Sequence, residues 1–303
     1  METIEIHNLT KDYGSSRGIF GIDLIVKQGE MMGFVGTNGS GKTTTIRSML
    51  GFIKPTSGNA YVNGLESWEN SSEIVKSVGY VPGEIAFPDL ATGTEFLRCQ
   101  AEFLGLKDMT YANELIKKLQ LDPRANLKRM SKGMKQKTAL VCSLMNDSPI
   151  LIFDEPTTGL DPLMRLAFMD IIKAEHKKGK TILMSSHMFN EMEDSCDKVA
   201  LIDKGKIIDV ADMNALRNRP QKDFKIEFHE KSDYEKFKRS GYTIIRDQEI
   251  YNQVTVTLPF DKINQLFFDL KNFNVKFITE VKFSLEKYFK QILIEKKENE
   301  NAI

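Results

Sequence analysis

Nine residues, "GTNGSGKTT" from Gly36 to Thr44, have the types and spacing needed to bind phosphate. They match G-x-x-x-x-G-K-[ST] between a predicted strand and a predicted helix, which argues against a glycine-rich turn with an incidental lysine. The glycines bring N–H groups against phosphate oxygens at the positive end of a helix. Lys42 offers a point charge to the β and γ phosphates, and Thr43 a hydroxyl to Mg²⁺. The candidate phosphate-binding residues are Gly36, Asn38, Gly39, Ser40, Gly41, Lys42, Thr43 and Thr44.

Two adjacent carboxylates follow a second apolar run, in "ILIFDEPTTGLD" from Ile150 to Asp161. Such an apolar run predicts a strand that is buried on both faces. Asp154 ends that strand, where open α/β sheets place their ligands, and is a candidate to support Mg²⁺. Glu155 points towards the γ phosphate and is the candidate general base for the attacking water. The alternative is a pair of surface acids that cap the next helix, and the phosphate loop argues against it.

The stretch "RMSKGMKQK", from Arg129 to Lys137, is rich in basic residues and contains no acidic one. Taken alone, it indicates a solvated charged face, or a basic helix that touches nucleic acid or a membrane. A third interpretation is that Ser131 and Gly133 open a helix and hold a phosphate. The rest of the chain must decide among these three interpretations.

A parallel sheet is the element that must bring these motifs together. In the first two-thirds of the chain, short β-branched runs alternate with longer helical patterns, which predicts a parallel sheet in an α/β domain. Residues 84–148 are mostly helical in pattern and predict a helical insertion. The predicted strands are "MMGFVG", "VGYVP", "ILIFDEP", "TILMSSH" and "DKVALIDKGKII", and "TTTIRSMLGF" is predicted as the helix after the phosphate loop.

The last third of the chain has a different pattern. The polar "ALRNRPQKD", with Pro220, predicts a linker over residues 215–222 that follows a first domain at 1–214. The order β-α-β-β-α-β then predicts a small α+β domain of the ferredoxin-like type at 223–303. The tail "EKKENENAI" has the composition of a frayed, solvated end.

The bulk composition excludes several classes of protein. Basic and acidic residues both number 42, and this zero net charge argues against a general nucleic-acid binder. The three cysteines show no metal-binding spacing and favour a reduced, cytosolic setting. The polar start predicts no signal peptide, and no apolar run approaches the roughly 18 residues of a membrane span. Any role at a membrane is therefore expected to require a partner.

The phosphate loop, "MSKGM" (Met130–Met134), "ILIFDEPTTGLD" and "SSH" occur in the order and approximate spacing of the ATP-binding cassette (ABC) family, which the chain resembles over residues 1–212. The resemblance implies an α/β phosphate-loop NTPase fold of the ABC type with a helical insertion. It also favours the third interpretation of the basic stretch, because "MSKGM" aligns with the family's signature. In that family, the serine and the glycine backbone matched by Ser131 and Gly133 bind the γ phosphate held by the other subunit of a head-to-tail dimer.

The resemblance implies roles for three further residues. Tyr13, in "TKDYG", looks like the aromatic residue that stacks on adenine, and an ordinary strand-end tyrosine is the alternative. Asp161, in "TGLD", looks like the aspartate that faces the dimer partner. His187, in "SSHM", looks like the switch histidine that contacts the γ phosphate.

Two departures from the family pattern stand out. Lys132 replaces the first glycine of the signature pair and Met134 replaces its glutamine, which implies a weakened or altered contact across the dimer. Gly83, in "GYVPGE", stands where the family usually has the glutamine that ligates Mg²⁺ and senses the permease. Glu84 is adjacent and is the candidate substitute. The implied magnesium ligands are then Thr43, Asp154 and Glu84.

The function implied by the resemblance is ATP hydrolysis, with Mg²⁺, that powers a separately encoded integral-membrane permease. The ATP-binding subunits form a homodimer or heterodimer on the cytoplasmic face of the cell membrane, and no nucleic acid is expected as a partner. The C-terminal "VKFSLEKYFKQIL" resembles exporter-type cassettes of the antibiotic, peptide and drug resistance group. A soluble ABC-type ATPase acting on ribosomes or DNA is the alternative, and the single phosphate loop and lack of sustained heptads argue against it.

Overall fold

The computed structural model describes residues 2–301, with side chains up to residue 296, and divides them into two compact units. The first unit runs to Met213 and takes in the chain again from Tyr288, whereas Asn214–Lys287 form the second. Strands of the first unit are β1 (Glu2–Asp12), β2 (Gly18–Lys27), β3 (Met31–Val35), β4 (Ser57–Val62), β5 (Leu65–Glu66), β6 (Val78–Val81), β7 (Ile150–Asp154), β8 (Thr181–Ser186), β9 (Lys198–Asp203) and β10 (Lys206–Asp212). Its helices are α1 (Lys42–Met49), α2 (Ser71–Ser77), α3 (Gly93–Phe103), α4 (Thr110–Lys118), α5 (Lys132–Leu144), α6 (Pro162–Lys177) and α7 (Phe189–Glu193).

The predicted strands form a six-stranded sheet in the order β10-β9-β3-β8-β7-β6. All neighbours pair in parallel except β10, which turns back antiparallel on β9, so "DKVALIDKGKII" forms two strands. Every residue of β3, β7 and β8 is buried, as expected for strands covered on both faces. The register pairs Val35 with Ser186 and Asp154 with Ser185. The carboxyl ends of β3, β7 and β8 therefore meet at one edge of the sheet.

A second sheet, in the order β2-β1-β4-β5, is antiparallel and was not part of the sequence expectation. Along β2, buried and exposed residues alternate, so this sheet has one face in the core and one towards solvent. Helix α1 contacts β1, β2 and β4 of this sheet as well as β7 of the parallel sheet. One hydrophobic core therefore joins both sheets around the helix that follows the phosphate loop.

The helical insertion lies between β6 and β7, as predicted, and contains α3, α4 and α5. Its helix starts follow from local capping, since the side chains of Thr92 and Ser131 accept hydrogen bonds from backbone N–H groups of α3 and α5. The phenol of Tyr111 in α4 donates to the buried carboxylate of Glu175 in α6 at 2.7 Å. This bond ties the insertion to the body of the first unit.

Glu175 also pairs with the ammonium groups of Lys178 at 2.7 Å and of the buried Lys180 at 2.5 Å. Burial alone raises the pKa of Glu175, but hydrogen bonds from Lys178, Lys180 and Tyr111 outweigh it and hold the pKa below its usual value. The ionised cluster is therefore an anchor for α4 on α6.

The second unit contains β11 (Gln221–Phe228), α9 (Lys231–Lys238), β12 (Thr243–Gln248), β13 (Gln253–Pro259), α10 (Ile263–Asp269) and β14 (Val275–Glu280), after the short helix α8 (Met213–Arg217). The strands form an antiparallel sheet in the order β12-β13-β11-β14. The aromatic rings of Phe228, Tyr234 and Phe237 lie in its core.

The chain between the units differs from the predicted linker at residues 215–222. Helix α8 continues to Arg217, and β11 begins at Gln221, directly after Pro220. The prediction was wrong there because every residue of β11 from Gln221 to Glu227 pairs with β13, and this pairing outweighs the polar composition. The last helix, α11, spans Leu285–Asn301, where the tail was predicted to be frayed. From Tyr288 onwards α11 belongs to the first unit, so the predicted domain at 223–303 was wrong at its C-terminal end. The last two residues of the tail lie outside the described part of the chain.

The cluster around Glu175 predicts a pH-dependent contribution to stability. Glu175→Gln is expected to lower the free energy of unfolding by about 3 kcal/mol at pH 7, because Lys180 loses its buried counter-charge. Since the folded-state pKa of Glu175 is depressed, the difference from wild type is complete well above the unfolded value of about 4.3 and shrinks as pH falls below it. Urea unfolding at pH 7 and pH 4 measures this.

Glu102→Gln is the matched control, because Glu102 is exposed and pairs only with the exposed Arg98 in α3. Exposed pairs of this kind contribute less than about 1 kcal/mol. Equal destabilisation by the two variants, or a Glu175→Gln effect that does not change between pH 7 and pH 4, contradicts the anchoring role.

Candidate functional site

The phosphate loop connects the carboxyl end of β3 to α1. Gly41 precedes α1 with a φ of +114°, a conformation that L side chains rarely adopt, and a Cβ there would lie 2.7 Å from the Ile19 side chain. The carbonyl of Ser40 accepts a hydrogen bond from the Gly205 N–H at 2.8 Å, which fixes the loop against the β9–β10 turn. The N-terminus of α1 therefore opens towards the cavity described below, with the polarity that favours anions.

Lys42 is almost fully buried, with 6% of its side chain exposed. Its ammonium group donates to the loop carbonyls of Gly36 at 2.8 Å and Thr37 at 3.2 Å. It also lies 3.2 Å from Oε1 of Glu155. In this state, loop carbonyls and Glu155 provide the negative partners that a phosphate would provide.

Glu155 follows β7 in a left-handed backbone conformation, with a φ of +51°. This conformation costs about 1–3 kcal/mol for a residue other than glycine and is typical of functional sites. The backbone N–H of Glu155 donates to the Ser185 hydroxyl at 3.0 Å, which helps to hold it. Its side chain is 16% exposed and lies between Lys42 and His187. The carboxylate is therefore at the centre of the predicted catalytic residues.

His187 follows directly after β8, and its Nδ1 lies 2.7 Å from Oε2 of Glu155. The imidazole is 47% exposed, so one face remains open to solvent. Thus Lys42, Glu155 and His187, predicted from three separate motifs, come together at the ends of β3, β7 and β8. Only the sheet register could bring these residues together.

Asp154 lies beneath this group and is fully buried. Its Oδ1 accepts a hydrogen bond from the Ser185 hydroxyl at 2.7 Å, whereas Oδ2 has no hydrogen-bond partner among residues 2–296. Gly83 lies against Oδ2, since a Cβ at residue 83 would be 2.9 Å from that oxygen. Among residues 2–296, this buried carboxylate oxygen thus lacks a hydrogen-bond partner and lies beside a glycine whose missing Cβ would crowd it.

These residues border an open cavity of about 800 Å³. Most of the predicted phosphate-loop residues line it, whereas Gly36 lies beneath the loop. Glu84 and Gly83 line it from the β6 side, and His187 and Glu155 from the sheet edge. The predicted residues that line the cavity are Tyr13, Asn38, Gly39, Ser40, Gly41, Lys42, Thr43, Thr44, Glu84, Glu155 and His187.

Tyr13 lies just after β1, with its ring exposed and the ammonium of Lys11 5.5 Å from the ring centroid. An exposed aromatic ring at the rim of a cavity has the shape needed to stack on a base. Sequence reasoning missed several neighbours that also line the cavity, among them Ser16, Arg17 and Lys204. The available signal was weak, since these residues lie in the polar β1–β2 and β9–β10 turns and no motif includes them.

Ser131, Gly133 and Asp161 do not line the cavity of their own chain. Ser131 and Asp161 instead cap α5 and α6, accepting hydrogen bonds from the N–H groups of Met134 at 3.2 Å and Met164 at 3.0 Å. Their predicted contact with a nucleotide held by a second chain stays a prediction. Lys132, the departure in the signature, does line the cavity.

Comparisons with known proteins agree with this geometry. The profile of the ABC transporter family matches residues 19–158. The chain is 31% identical over 301 residues to the bacitracin transport ATP-binding protein BcrA of Bacillus licheniformis, covering 96% of this chain and 97% of that protein. It is 32% identical over 221 residues to the linearmycin resistance ATP-binding protein LnrL of Bacillus subtilis, covering 71% of each.

Solved structures show the same fold. The ATP-binding subunit of an ABC transporter superposes with a TM-score of 0.65 at 28% identity, covering 72% of this chain and 92% of that one. The dimeric cassette MJ0796, in a post-hydrolysis state bound to ADP and phosphate, superposes with a TM-score of 0.62 at 23% identity, covering 69% of this chain and 98% of that one. The phosphate-loop fold seen here is therefore an ABC-type nucleotide-binding fold.

The buried position of Lys42 predicts a severe effect of its removal. Lys42→Ala is expected to lower the ATP hydrolysis rate by at least about a hundredfold and to weaken Mg-ATP binding, because it removes the ammonium that contacts the loop carbonyls and Glu155 together. Phosphate release measures the first effect, and calorimetric titration with ATP the second. Lys128→Ala, which removes an exposed lysine paired with the exposed Asp89, should leave both unchanged. Wild-type turnover in Lys42→Ala would show that the loop is not the phosphate site.

Proposed function

The chain belongs to the ATP-binding proteins of ABC transporters, and on that premise we propose that it powers the export of a peptide-like, drug-like or lipid-like compound through a separately encoded permease. The observation that carries the export proposal is the end-to-end similarity to BcrA, because it includes the second unit and α11 as well as the cassette. The names of BcrA and LnrL refer to bacitracin transport and linearmycin resistance. These two names, one referring to transport and the other to resistance, motivate the proposed substrate class.

Hydrolysis begins, in this proposal, with an exchange of partners at Lys42. The phosphates of ATP replace Glu155 as the counter-charge of Lys42, now 3.2 Å away. Glu155 is thereby released from the ion pair and becomes available to accept a proton from the attacking water. Binding of the substrate and activation of the base are then one event, because both depend on the same lysine.

His187 keeps Glu155 in place during this exchange. The imidazole nitrogen at 2.7 Å holds one carboxylate oxygen, which leaves the other oxygen to face the water. The half-exposed ring also borders the cavity, and the N–H of its second ring nitrogen can donate a hydrogen bond to the γ phosphate. In this role His187 orients the base and neutralises charge that develops on the phosphate.

The residues around Asp154 fit a magnesium ion. The buried Oδ2 without a partner and the Thr43 hydroxyl in the cavity are hard oxygen ligands, and Mg²⁺ is usually held by one or two carboxylates together with phosphates. We expect Asp154 and Thr43 to hold the ion, with Glu84 as a further oxygen donor in place of the glutamine missing at Gly83. When bound, the ion supplies charge neutralisation of the phosphates.

Two chains complete the site. Ser131 and Gly133 lie at the N-terminus of the 13-residue helix α5 and do not line the cavity of their own chain. In this position the signature of one chain can contact the phosphate bound by another chain. The backbone at Gly133 is close to Gly159, since a Cβ on Gly133 would lie 2.7 Å from the Gly159 carbonyl oxygen. Asp161 follows in the same segment. We infer that this segment forms the dimer face, in a homodimer or with a related chain.

A groove of about 470 Å³ between α2, β6, α3 and α5 is the proposed docking site for the permease. Among the described residues, no helix combines the length and hydropathy needed to cross a membrane. The exposed apolar side chains of Phe52, Val75 and Phe103 line the groove, which suits an amphipathic helix. The groove continues to Gly79 and Tyr80 of β6, three residues before Gly83 and the cavity. We place the protein at the cytoplasmic face of the membrane through this contact.

The second unit is proposed to be a ferredoxin-like accessory domain. Its element order is β-α-β-β-α-β, and its four antiparallel strands lie in the order fourth, first, third and second. The aromatic core gives it packing of its own. A dimerisation or stability role suits this unit better than a ligand site, because no motif in it favours ligand binding.

Glu155→Gln tests the proposed base. The variant is expected to bind ATP but to hydrolyse it about a hundred- to ten-thousandfold more slowly, because the amide cannot accept the proton. Because its ATP remains unhydrolysed, the variant should also accumulate as a closed dimer, which light scattering after gel filtration measures. Glu73→Gln, an exposed glutamate in α2, should hydrolyse at the wild-type rate and remain monomeric after turnover. Normal turnover in Glu155→Gln would exclude Glu155 as the base.

Purification of the tagged chain from its own cells in mild detergent tests the transport role. A polytopic membrane protein is expected in stoichiometric amount with wild type, and several-fold less with Phe103→Asp, which puts a charge in the apolar groove. The control Phe268→Asp changes another exposed phenylalanine, in the second unit, and the permease should be recovered with this variant in the same amount as with wild type. Recovery of ribosomes or DNA in place of a membrane protein contradicts the transport role. Recovery of as much permease with Phe103→Asp as with wild type contradicts the groove as the docking site.

A further inference from the structure

We propose that the last helix, α11, positions the switch segment that carries His187, and that Phe289 is the positioning residue through which it acts. The switch segment is defined here as Ser186–Glu193, from the end of β8 to the end of α7. The inference rests on the proposed role of His187 in hydrolysis. It assigns a role in ATP turnover to a helix about 100 residues further along the chain.

Helix α11 is fixed to the first unit by two contacts of adjacent residues. The ring of Phe289 is 4% exposed, and its centroid lies 5.2 Å from that of Phe189, with the planes tilted by 46°. The phenol of Tyr288 donates to Oδ2 of Asp209 in β10 at 2.7 Å. An aromatic pair of this geometry contributes about 0.5–1.5 kcal/mol beyond its buried area. Phe189 is the first residue of α7 and lies two residues after His187.

The switch segment depends on such external contacts. Helix α7 has five residues, and an isolated helix of that length is not stable in water. Its position must therefore come from packing. On the side of the sheet, Met192 is fully buried. On the side of α11, Phe189 packs against Phe289.

Hydrogen bonds connect α7 to residues close in sequence to both His187 and Glu155. Oε2 of Glu191 accepts from the hydroxyls of Ser186 at 2.9 Å and Thr157 at 3.1 Å. Ser186 directly precedes His187, and Thr157 lies two residues after Glu155. A shift of α7 thus moves the residues beside both partners of the 2.7 Å contact between His187 and Glu155.

Loss of the contact between Phe189 and Phe289 should change the alignment of His187 with Glu155 rather than the affinity for ATP. Neither Phe289 nor Phe189 lines the nucleotide cavity, so their loss should leave ATP binding intact. Misplacement of a catalytic group by about 1 Å can cost a hundredfold in rate. Helix α11 begins at Leu285 in the second unit and continues in the first unit, where Phe289 contacts the switch segment.

The test compares Phe289→Ala with Ile294→Ala in the full chain. Ile294 is an apolar residue of the same helix that is 56% exposed, so its variant is the matched control. Phe289→Ala is expected to lower kcat for ATP roughly tenfold with KM within twofold of wild type. Phe289→Leu keeps apolar volume against Phe189 and should restore most of the rate. Ile294→Ala should match wild type in both constants.

A spectroscopic readout separates positioning from general destabilisation. The chain has four histidines, so ¹³C,¹⁵N-histidine labelling gives a simple spectrum in which His187→Ala identifies the His187 ring signals. Phe289→Ala should shift those signals and leave the signals of His7, His176 and His229 in place. If this variant fails to fold, Phe189→Ala removes the same contact from the other side, and its His187 signals provide the same comparison.

A double-mutant cycle of Phe189→Ala and Phe289→Ala completes the test. If the two residues act through one contact, the double variant loses no more kcat than the more severe single variant. Fully additive losses, an unmoved His187 signal, or shifts of all four histidines overturn the proposal. A wild-type rate in His187→Ala would contradict the proposed role of His187 in hydrolysis. That outcome is separate from the positioning test, because the ring signals of His187 report its position whether or not it takes part in hydrolysis.

Discussion

The carboxylate of Glu155, shared between Lys42 and His187, is the interaction on which the site depends. Lys42 is nearly fully buried, and a buried ammonium without a counter-charge is strongly unfavourable. In the absence of phosphate, Glu155 provides that charge. The same pairing keeps the base occupied, so the structure couples the presence of substrate to the availability of the base. The strained backbone at Glu155 is consistent with this role, since its φ of +51° aims the side chain across the ends of three strands.

Much of this site could be predicted because its motifs are local in sequence. The phosphate loop, the acids after β7 and the start of α5 each depend on neighbouring residues, such as Ser131 capping its own helix. The parallel sheet followed from uninterrupted apolar runs. Arg17 and Lys204 could not be predicted, because the pairing of β3 with β9 and the pairing of β1 with β2 in the antiparallel sheet bring their turns to the cavity. Tertiary structure, rather than a local motif, therefore places these residues at the rim of the cavity.

The two failed predictions at the C-terminal end have the same cause. Polar composition and Pro220 predict a linker, yet β11 pairs with two neighbouring strands and becomes central in its sheet. The charged tail predicts fraying, yet the helix that carries it is fixed by Phe289 and Tyr288. In both cases a few apolar or aromatic residues among polar ones determine the structure, and their partners lie far away in the sequence. The average composition of a sequence segment hides those few residues.

The catalytic residues differ in how firmly they are held, and the difference suits their tasks. Lys42 and Asp154 belong to buried elements of the parallel sheet and α1, where motion would expose charge to an apolar core. His187 is half exposed and lies between β8 and the five-residue helix α7, which packs through the side chains of Phe189 and Met192. Segments with few buried contacts open most easily and are the ones that move in function. A residue that must respond to the phosphate therefore belongs in such a segment, and any helix that packs against it gains influence over turnover.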